Sequence, residues 1–597
     1  MHTKKTFVLL VVVSALTVLI LFRGGKTPRE NLIPLVPSLD AGAVRALRIE
    51  NLQRGTTLLL ERDDRGSWFL TDPIAYPADS STVRALLDVV SSNTCYLVTD
   101  RSPGQVGLDP PRALLEVVQV REGVEQRSIV SLGSADLGGG DVYVSIDGQV
   151  YLTLRSLEGV LELPVHQYRD KRVLSIAERS VNSIERAGWL PMRSGSGARD
   201  LEFSALRTAD GWQLQRPYTA RLDDQALAVL IRTATQLRAV DFVDDDPMKR
   251  LHLYGLDEPH FLLRLGDGGG ASQTMQLSTE PREQGGLGPW RAMRSGHPHV
   301  FEVEEGGVVA LGVSLENLLD YRLARIETSA VTSLGWTDER GTLELRREGG
   351  VWRVTPRGDE EHVRADGRAD KRRVEECLAR ILTTEIAEFL PGTPFGAGSE
   401  VRTLTIRTAD ERVYGGVFGP AYDRNGKSGR LFRVEGDELP ALVPEALFEE
   451  TDANADAFWD NVIHKLDRLL QVRIELRRGT DERRFTRDRD NGLWYDELND
   501  EVSIEVGTIL DDLQTLPALG WVGEERAREL EEPVSIKIFS VAGAPEEFTL
   551  GRSPEAARWP ESHLSEGPSG HAQCESAVGR AEVAAGKLTG AWKLFDG

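Results

Sequence analysis

Apolar residues with helical spacing recur four times along the chain. In the first set they fall at positions i, i+3, i+4 and i+7, which lines one face of an α-helix with apolar side chains. The four sets are Val83, Leu86, Leu87, Val90; Leu227, Leu230, Ile231, Ala234; Val374, Cys377, Leu378, Ile381; and Val506, Ile509, Leu510, Leu513. The pattern predicts four amphipathic helices, each with one buried face.

A tryptophan precedes each predicted helix. Trp68, Trp212, Trp352 and Trp494 are separated by intervals of 140 to 144 residues, and each begins a short apolar stretch after a turn. A fixed interval indicates one folding unit copied several times. Apolar neighbours on both sides favour a core position for these indoles, and sugar-stacking platforms are the alternative.

Short strands flank each tryptophan and helix. Residues 343–345 and 472–476 alternate apolar and polar side chains, which is typical of half-buried antiparallel strands. A Gly-Leu-Asp turn follows the helix at 107–109 and 255–257, is eroded at 530–533, and is missing from the third copy. The predicted fold is therefore α+β, with four tandem repeats, each an antiparallel sheet with a packed amphipathic helix.

An apolar segment at the start of the chain predicts a membrane anchor. Residues 7–22 are uncharged, and basic residues flank them on both sides. They predict one N-terminal transmembrane helix, with the flanking lysine and arginine side chains reaching the membrane surface at its two ends. A cleaved signal peptide is the alternative, but no small-x-small site follows. The short tail favours export of the acidic bulk of the chain.

These patterns divide the chain into seven parts. The predicted parts are a cytoplasmic tail (1–6), a transmembrane anchor (7–22), an extended linker (23–42), repeat 1 (43–175), repeat 2 (176–325), repeat 3 (326–463) and repeat 4 (464–597). The predicted location is the bacterial cytoplasmic membrane, with a single pass and the repeats on the periplasmic side.

Charge and cysteine content narrow the classes of function. The net charge of −23 repels phosphate backbones, so no nucleic-acid partner is expected. Cys95, Cys377 and Cys574 are too few and too scattered to form a disulfide framework or a zinc knuckle.

Several of these features together resemble a known family. They are the N-terminal anchor, the Gly-x-Trp strands, the amphipathic helix, Tyr254-Gly255-Leu256-Asp257-Glu258-Pro259 and the connecting segment Tyr168-Arg169-Asp170-Lys171. The set resembles an uncharacterised family of exported, membrane-anchored bacterial proteins, often encoded beside gliding-motility-type ABC transporter components. The resemblance implies an accessory subunit of an envelope transport complex, and the family supplies no catalytic residues.

One segment approaches a phosphate-binding loop. Residues 421–428, Ala-Tyr-Asp-Arg-Asn-Gly-Lys-Ser, fit a relaxed P-loop pattern with Ala421 in place of the first glycine. A P-loop needs a helix after it, whereas residues 429–434 read as a strand, and Asp423 would repel phosphate. The context favours a hairpin loop.

Two other segments carry possible metal ligands. Asp241 and the run Asp244-Asp245-Asp246 lack the spacing of a calcium loop, so a solvated charge cluster is favoured. His297 and His299 lack a third ligand that the sequence would place beside them. Gly567-Pro568-Ser569-Gly570-His571 misses the nucleophile-elbow pattern.

These observations predict a non-enzymatic envelope protein. No catalytic, cofactor-binding or metal-binding residue and no cofactor is predicted. The expected partners are transmembrane subunits of an ABC transporter or other envelope proteins, with the membrane contacted through residues 7–22. A glycan- or peptidoglycan-binding protein and an envelope hydrolase are the alternatives.

Overall fold

The computed structural model describes residues 32–596 with gaps. The residues left out within that range are 192–198, 201, 282–286, 298, 359, 362, 397–400, 425, 464–465, 467–468, 515, 524–528, 542, 553–570 and 585–588. The predicted anchor, residues 7–22, lies outside the described residues. Among those described, no helix is long and apolar enough to cross a membrane.

Four antiparallel sheets carry most of the described chain, and helices accompany them, so the fold is α+β. The first sheet contains β1 (Ile33–Pro34), β2 (Val44–Asn51), β3 (Thr56–Arg62), β4 (Trp68–Asp72), β5 (Tyr76–Pro77), β6 (Thr94–Leu97), β7 (Ala113–Arg121), β8 (Val124–Ala135), β9 (Asp141–Ile146) and β10 (Gln149–Leu154). Its strand order is β1-β6-β10-β9-β8-β7-β2-β3-β4-β5.

The second sheet follows the same plan. Its strands are β11 (Val181–Leu190), β12 (Arg199–Asp200), β13 (Phe203–Thr208), β14 (Gly211–Arg216), β15 (Ala220–Arg221), β16 (Ala239–Asp244), β17 (Phe261–Asp267), β18 (Ser272–Pro281), β19 (Leu287–Arg294) and β20 (Val300–Val303). One set of hydrogen-bonded strands in this sheet has the order β16-β20-β19-β18-β17-β11, and another has the order β13-β14-β15.

The third and fourth sheets repeat this order in shorter form. The third contains β21 (Val331–Asp338), β22 (Gly341–Glu348), β23 (Val351–Thr355), β24 (Glu388–Phe389), β25 (Arg402–Thr408), β26 (Val413–Arg424), β27 (Lys427–Val434) and β28 (Ala441–Val443). The fourth contains β29 (Gln471–Arg478), β30 (Asp481–Arg487), β31 (Trp494–Asp496), β32 (Gly520–Val522), β33 (Glu531–Ser540), β34 (Glu546–Arg552), β35 (His571–Ser576) and β36 (Gly579–Ala584). Their orders, β24-β28-β27-β26-β25-β21-β22-β23 and β32-β36-β35-β34-β33-β29-β30-β31, match each other position by position.

Each sheet is accompanied by a long and a short helix. The helices are α1 (Ser80–Ser92), α2 (Ser156–Leu161), α3 (Asp224–Gln236), α4 (Glu305–Leu311), α5 (Lys371–Thr383), α6 (Glu445–Glu450), α7 (Ile504–Gln514) and α8 (Thr589–Asp596). Single 3-10 turns occur at Pro103–Val106, Val165–Tyr168, Glu178–Ser180, Leu251–Tyr254, Glu316–Leu318, Thr328–Ala330 and Ala455–Ala457. The short helices were not predicted, because six to eight residues carry too little periodicity to be recognised.

The predicted apolar faces of the long helices are buried. All sixteen residues of the four sets are at most 5 % exposed. The four tryptophans are also buried, and each accepts a backbone hydrogen bond from a residue one or two positions before the following helix. These bonds run to the carbonyls of Trp68, Trp212, Trp352 and Trp494 from the N–H groups of Ala78, Leu222, Ala369 and Ser503. The prediction that the indoles occupy equivalent core positions is confirmed.

The chain divides into two compact units. One comprises Met1–Leu201 with Val229–Val313, and the other comprises Glu202–Ala228 with Ser314–Gly597. The first sheet belongs to the first unit, and the third and fourth sheets belong to the second. The boundaries predicted for the four repeats stay a prediction.

Candidate functional site

Three connecting segments carry the regular contacts between successive sheets. We call residues 168–172, 318–322 and 458–462 the first, second and third junctions. In the first junction, the N–H of Asp79 donates to the carbonyl of Tyr168 at 2.8 Å, and the N–H of Asp170 donates to the carbonyl of Pro77 at 2.9 Å. The junction therefore pairs as a short antiparallel strand with the residues that lead into α1.

The second and third junctions repeat these bonds. Asp223 donates to Leu318 at 2.7 Å, and Asp320 donates to Arg221 at 3.1 Å. Asp370 donates to Phe458 at 2.7 Å, and Asp460 donates to Arg368 at 3.0 Å. We call the three segments that pair with the junctions, 77–79, 221–223 and 368–370, the pre-helix edges. Because backbone groups make all six bonds, the three junctions can have the same geometry although their side chains differ.

The same junctions also bond to the segment that follows the next long helix. The N–H groups of Ala239, Ile386 and Ala518 donate to the carbonyls of Lys171, Tyr321 and Asn461 at 2.7, 2.8 and 2.8 Å. In the first sheet, β1 takes this place, because Ile33 and Pro34 pair with Cys95 and Thr94. Each junction is thus held on both sides by backbone hydrogen bonds.

An aspartate stands at the third position of every junction. Asp170, Asp320 and Asp460 each accept a hydrogen bond from the N–H two residues further on, at 3.0, 3.3 and 3.0 Å. Asp320 is the most deeply buried, and it accepts hydrogen bonds from the guanidinium groups of Arg322 and Arg325. Burial raises the pKa of Asp320, but these two arginines lower it by more, so the carboxylate stays ionised.

An aromatic side chain also recurs beside each junction. Phe242 lies 3.6 Å from the guanidinium carbon of Arg169, and the Phe389 ring meets the Tyr321 ring edge-on at 5.0 Å. The Trp521 indole lies under Arg364 at 4.8 Å and donates to the carbonyl of Asp460 at 3.2 Å. Sequence reasoning missed these residues, although all three lie six or seven residues after the end of a long helix.

The first junction has a cluster of titratable groups around Arg169. Arg169 is almost fully buried, and its guanidinium lies between the rings of Phe242 and Tyr76, 4.5 Å from the Tyr76 centroid. It donates two hydrogen bonds to the Asp245 carboxylate, at 2.6 and 3.2 Å. His299 Nδ1 lies 3.2 Å from the same carboxylate, and its ring packs edge-on against Tyr76 at 4.8 Å. At the position of Arg169 the other junctions have Leu319 and Trp459.

The surroundings of this cluster shift two pKa values. Burial raises the pKa of Tyr76 to about 12, even though Arg169 opposes the shift, so the phenol stays protonated. Burial and the neighbouring Arg169 charge lower the pKa of His299 below its ordinary value, against the opposing pull of Asp245. His299 is therefore neutral at pH 7, which matches an Nδ1–H group donating to Asp245.

The two segments whose sequence offered possible metal ligands lie in this region, but their side chains pair with other groups of the protein. Asp245 and His299 belong to the first-junction cluster, whereas Asp244 accepts hydrogen bonds from Arg250 and the Tyr254 hydroxyl, both at 2.8 Å. Asp241 accepts a hydrogen bond from the N–H of Phe242, and His297 is exposed. Across the described part of the chain, no three His, Cys, Asp or Glu residues lie together as a metal site would require.

The P-loop-like segment is a β-hairpin. β26 and β27 pair through Arg424 with Lys427 and through Tyr422 with Gly429, and Gly426 in the connecting turn has a φ of 73°. No helix follows the turn, so backbone N–H groups do not converge on a phosphate position. The predicted hairpin is confirmed. Most of the segment 567–571 lies outside the described residues.

A second charged cluster lines a cavity of about 500 Å³ in the third sheet. The guanidinium groups of Arg402 and Arg430 lie 4.2 and 3.7 Å from the ring centroid of Phe448. Arg402 donates to Asp452 at 2.7 Å, and Arg430 donates to Glu445 at 2.6 Å. These pairings bond the arginines to carboxylates of the protein, and the lining as a whole has five carboxylates and three guanidinium groups.

All three cysteines are core residues. Cys95, Cys377 and Cys574 are all unpaired and buried. Burial raises the pKa of the Cys95 thiol to about 11, so it is not a thiolate at pH 7.

Comparison with known proteins identifies a family. No curated protein matches the chain. The family described as Domain of unknown function (DUF4340) matches residues 68–205 and again residues 212–403, together more than half of the chain. Each match begins at one of the recurring tryptophans. This chain therefore belongs to the family of proteins that carry the domain of unknown function DUF4340.

Proposed function

We propose that this protein is a non-enzymatic, membrane-anchored envelope protein that acts as an accessory or scaffold subunit of a gliding-motility-type ABC transport complex. Residues 7–22 form its single transmembrane anchor, and the sheets lie on the periplasmic side. The partners are transmembrane subunits of the transporter, and the family resemblance supports that choice of partner.

The observation that carries the proposal is the construction of the junctions. Each junction is bonded through its backbone to the segment before one long helix and to the segment after the next. Backbone bonding of this kind within each compact unit suits a protein that presents binding surfaces. The charged groups of the first junction pair with one another and contact aromatic rings, so they stabilise the junction.

Co-purification tests the proposal directly. The full-length protein is crosslinked in cells and purified in mild detergent, and the attached proteins are identified by mass spectrometry. We expect transmembrane transporter subunits to be enriched. The matched control is residues 1–42 fused to an unrelated soluble protein, which keeps the anchor and lacks the sheets. Equal recovery of transporter subunits with this control, or no recovery with either protein, would contradict the proposal.

A glycan-binding role is the second candidate, and one exposed residue favours it. Trp189 is 40 % exposed, unlike the four recurring tryptophans, and its ring lies 4.5 Å from that of His260. An exposed indole of this kind can stack on a sugar ring. If this role is correct, Trp189→Ala lowers sedimentation of the full-length protein with purified peptidoglycan, and Leu206→Ala, which changes another exposed apolar side chain, does not.

The geometry supports an envelope hydrolase less well. The pairing of His299 with Asp245 resembles the orienting half of a catalytic triad. However, Arg169 takes both oxygens of the same carboxylate, and Tyr76 packs against the imidazole ring. The groups are thereby committed to the junction, and the hydrolase alternative stays untested.

A further inference from the structure

A turn in the third sheet packs against the segment that leads into α3. We call residues 435–438, which follow β27, the acidic turn. The N–H of Glu438 donates to the carbonyl of Thr219 at 2.8 Å, and the N–H of Thr219 donates to the Glu438 carboxylate at 3.2 Å. Both segments belong to the second compact unit. The acidic turn is therefore bonded to this segment in both directions.

Turns at the same place in two other sheets make comparable contacts. The N–H groups of His297 and Asp437 each donate to the carbonyl three residues earlier, at 3.0 and 3.1 Å, and each follows a glycine with positive φ. Two residues after His297, the His299 ring packs against Tyr76. In the fourth sheet, a turn carbonyl accepts a hydrogen bond from the Ala365 N–H at 2.8 Å. The contact recurs along the chain, but its side chains differ from one copy to the next.

The acidic turn places a carboxylate inside its contact. The side chain of Asp437 is 4 % exposed, and its Oδ2 lies 3.7 Å from Nε of Arg221, which is longer than a hydrogen bond. Among the described residues, neither Oδ1 of Asp437 nor Nε of Arg221 has a hydrogen-bond partner. A buried carboxylate that is paired this loosely recovers little of the free energy lost when it leaves water.

The charges around Asp437 do not compensate for its burial. Burial raises the pKa of Asp437 to about 6, while Arg221 opposes the shift and Asp320 adds to it. Arg221 is shared, because it also acts on the Asp320 carboxylate. The charged groups of the acidic turn, the 219–221 segment and residues 318–325 are Glu435, Asp437, Glu438, Arg221, Asp320, Arg322 and Arg325.

We propose that the acidic turn is a pH-sensitive contact, which holds residues 219–221 more tightly when the Asp437 carboxylate is protonated than when it is charged. Opening of the contact exposes the carboxylate to water, which stabilises its charge, so loss of the proton to solvent favours the open form. This inference goes beyond the proposed scaffold function and does not depend on the transporter partner.

The sign of the effect follows from the direction of the shift. The pKa of Asp437 rises from the ordinary 3.8 to about 6 in the folded protein. The closed contact therefore binds the proton more strongly than the open form, and it loses stability as the pH rises from 3.8 through 6. His299, at the comparable contact of the first unit, has the opposite sign, because burial lowers its pKa.

Hydrogen exchange at the Glu438 amide tests the proposal in the full-length protein in detergent micelles. Its protection is expressed relative to the unfolded chain at the same pH, so that the intrinsic pH dependence of exchange cancels. We expect protection to be about tenfold lower at pH 7.5 than at pH 5, as the two pKa values imply. Equal protection at the two pH values would overturn the proposal.

Two variants and one internal reference locate the effect. Asp437→Asn removes the charge at constant size, and we expect its Glu438 protection to change by less than about twofold between the two pH values. Glu435→Gln changes an exposed carboxylate of the same turn and should keep the tenfold change. A tenfold change that persists in Asp437→Asn would overturn the proposal.

The internal reference needs no variant. The Asp223 amide bonds to Leu318 in the second junction of the same unit, and its protection should not follow the change at Glu438. An equal change at both amides of the unchanged protein would mean that the whole unit responds to pH, which would overturn a device confined to the acidic turn. This comparison decides the matter even if Asp437→Asn fails to fold.

Discussion

Arg169 is the side chain that most distinguishes the first junction from the other two. Its guanidinium is enclosed by two aromatic rings and paired with Asp245, which is itself 46 % exposed. The half-exposed carboxylate weakens the ion pair through solvent screening. Most of the contribution of Arg169 therefore comes from stacking on Tyr76 and Phe242 and from filling the space between them.

We predict that Arg169→Ala lowers the free energy of unfolding by about 2 kcal/mol, because two cation–π contacts and their packing are lost. Asp245→Asn should cost less, under about 1 kcal/mol, because the Asp245 carboxylate is half exposed and solvent screens its charge. Urea denaturation of the full-length protein measures both. Arg172→Ala is the control, since that side chain is half exposed. If Asp245→Asn cost more than Arg169→Ala, the ion pair and not the stacking would hold the junction.

His299 gives the first junction a dependence on pH. Its folded pKa is lowered by burial and by Arg169 from the ordinary value of 6.5, so the unfolded chain binds a proton more readily. The stabilisation by neutral His299 is therefore fully present above pH 6.5 and is lost as the pH falls below 6.5. Stability measured between pH 8 and 5 should decline less steeply in His299→Gln. An unchanged slope would show that other groups, such as His260, control it.

Among the secondary-structure elements, the long helices could be predicted from the sequence and the contacts of the junctions could not. The long helices were predictable because sixteen apolar residues keep helical spacing and all are buried. Of the three junctions, only the first was named from the sequence, as a connecting segment. The residues Tyr168-Arg169-Asp170, Leu318-Leu319-Asp320 and Phe458-Trp459-Asp460 share their backbone bonds but only one side chain, the aspartate. Asp245 and His299 lie 54 residues apart, and no local pattern reveals that the fold brings them beside Arg169.

The first long helix depends on its capping residue. The side chain of Asp79 accepts hydrogen bonds from the N–H groups of Ser81 and Thr82 at 2.8 and 3.0 Å. We predict that Asp79→Ala costs about 1 kcal/mol of stability, measured by urea denaturation. Burial raises the pKa of Asp79, but a hydrogen bond from the Ser81 hydroxyl and these two backbone bonds lower it by more, so the capping contribution holds at neutral pH and is lost as the pH falls below 3.8. Asp88→Ala on the same helix is the control, and an equal loss there would contradict capping.

At the scale of the whole molecule, we expect the junctions to determine which sheets unfold together. Successive sheets that share backbone bonds should lose structure in one transition. The third junction joins the third and fourth sheets through the Asp460 N–H and the Asn461 carbonyl.

We predict that Asp460→Pro, which removes the N–H that bonds to Arg368, uncouples these two sheets. Hydrogen exchange measured at increasing urea should then show β33 losing protection before β25. Asp460→Ala keeps the N–H and should leave the two strands losing protection together, apart from a lower midpoint due to the lost pairing with Arg368. Separate transitions in the unchanged protein would mean that the junction does not couple the sheets.

The most direct test of the account is the exchange rate of six backbone amides in the full-length protein. The account predicts slow exchange at Asp79, Asp170, Asp223, Asp320, Asp370 and Asp460, whose N–H groups bond across the junctions. Fast exchange at these six aspartates would contradict it.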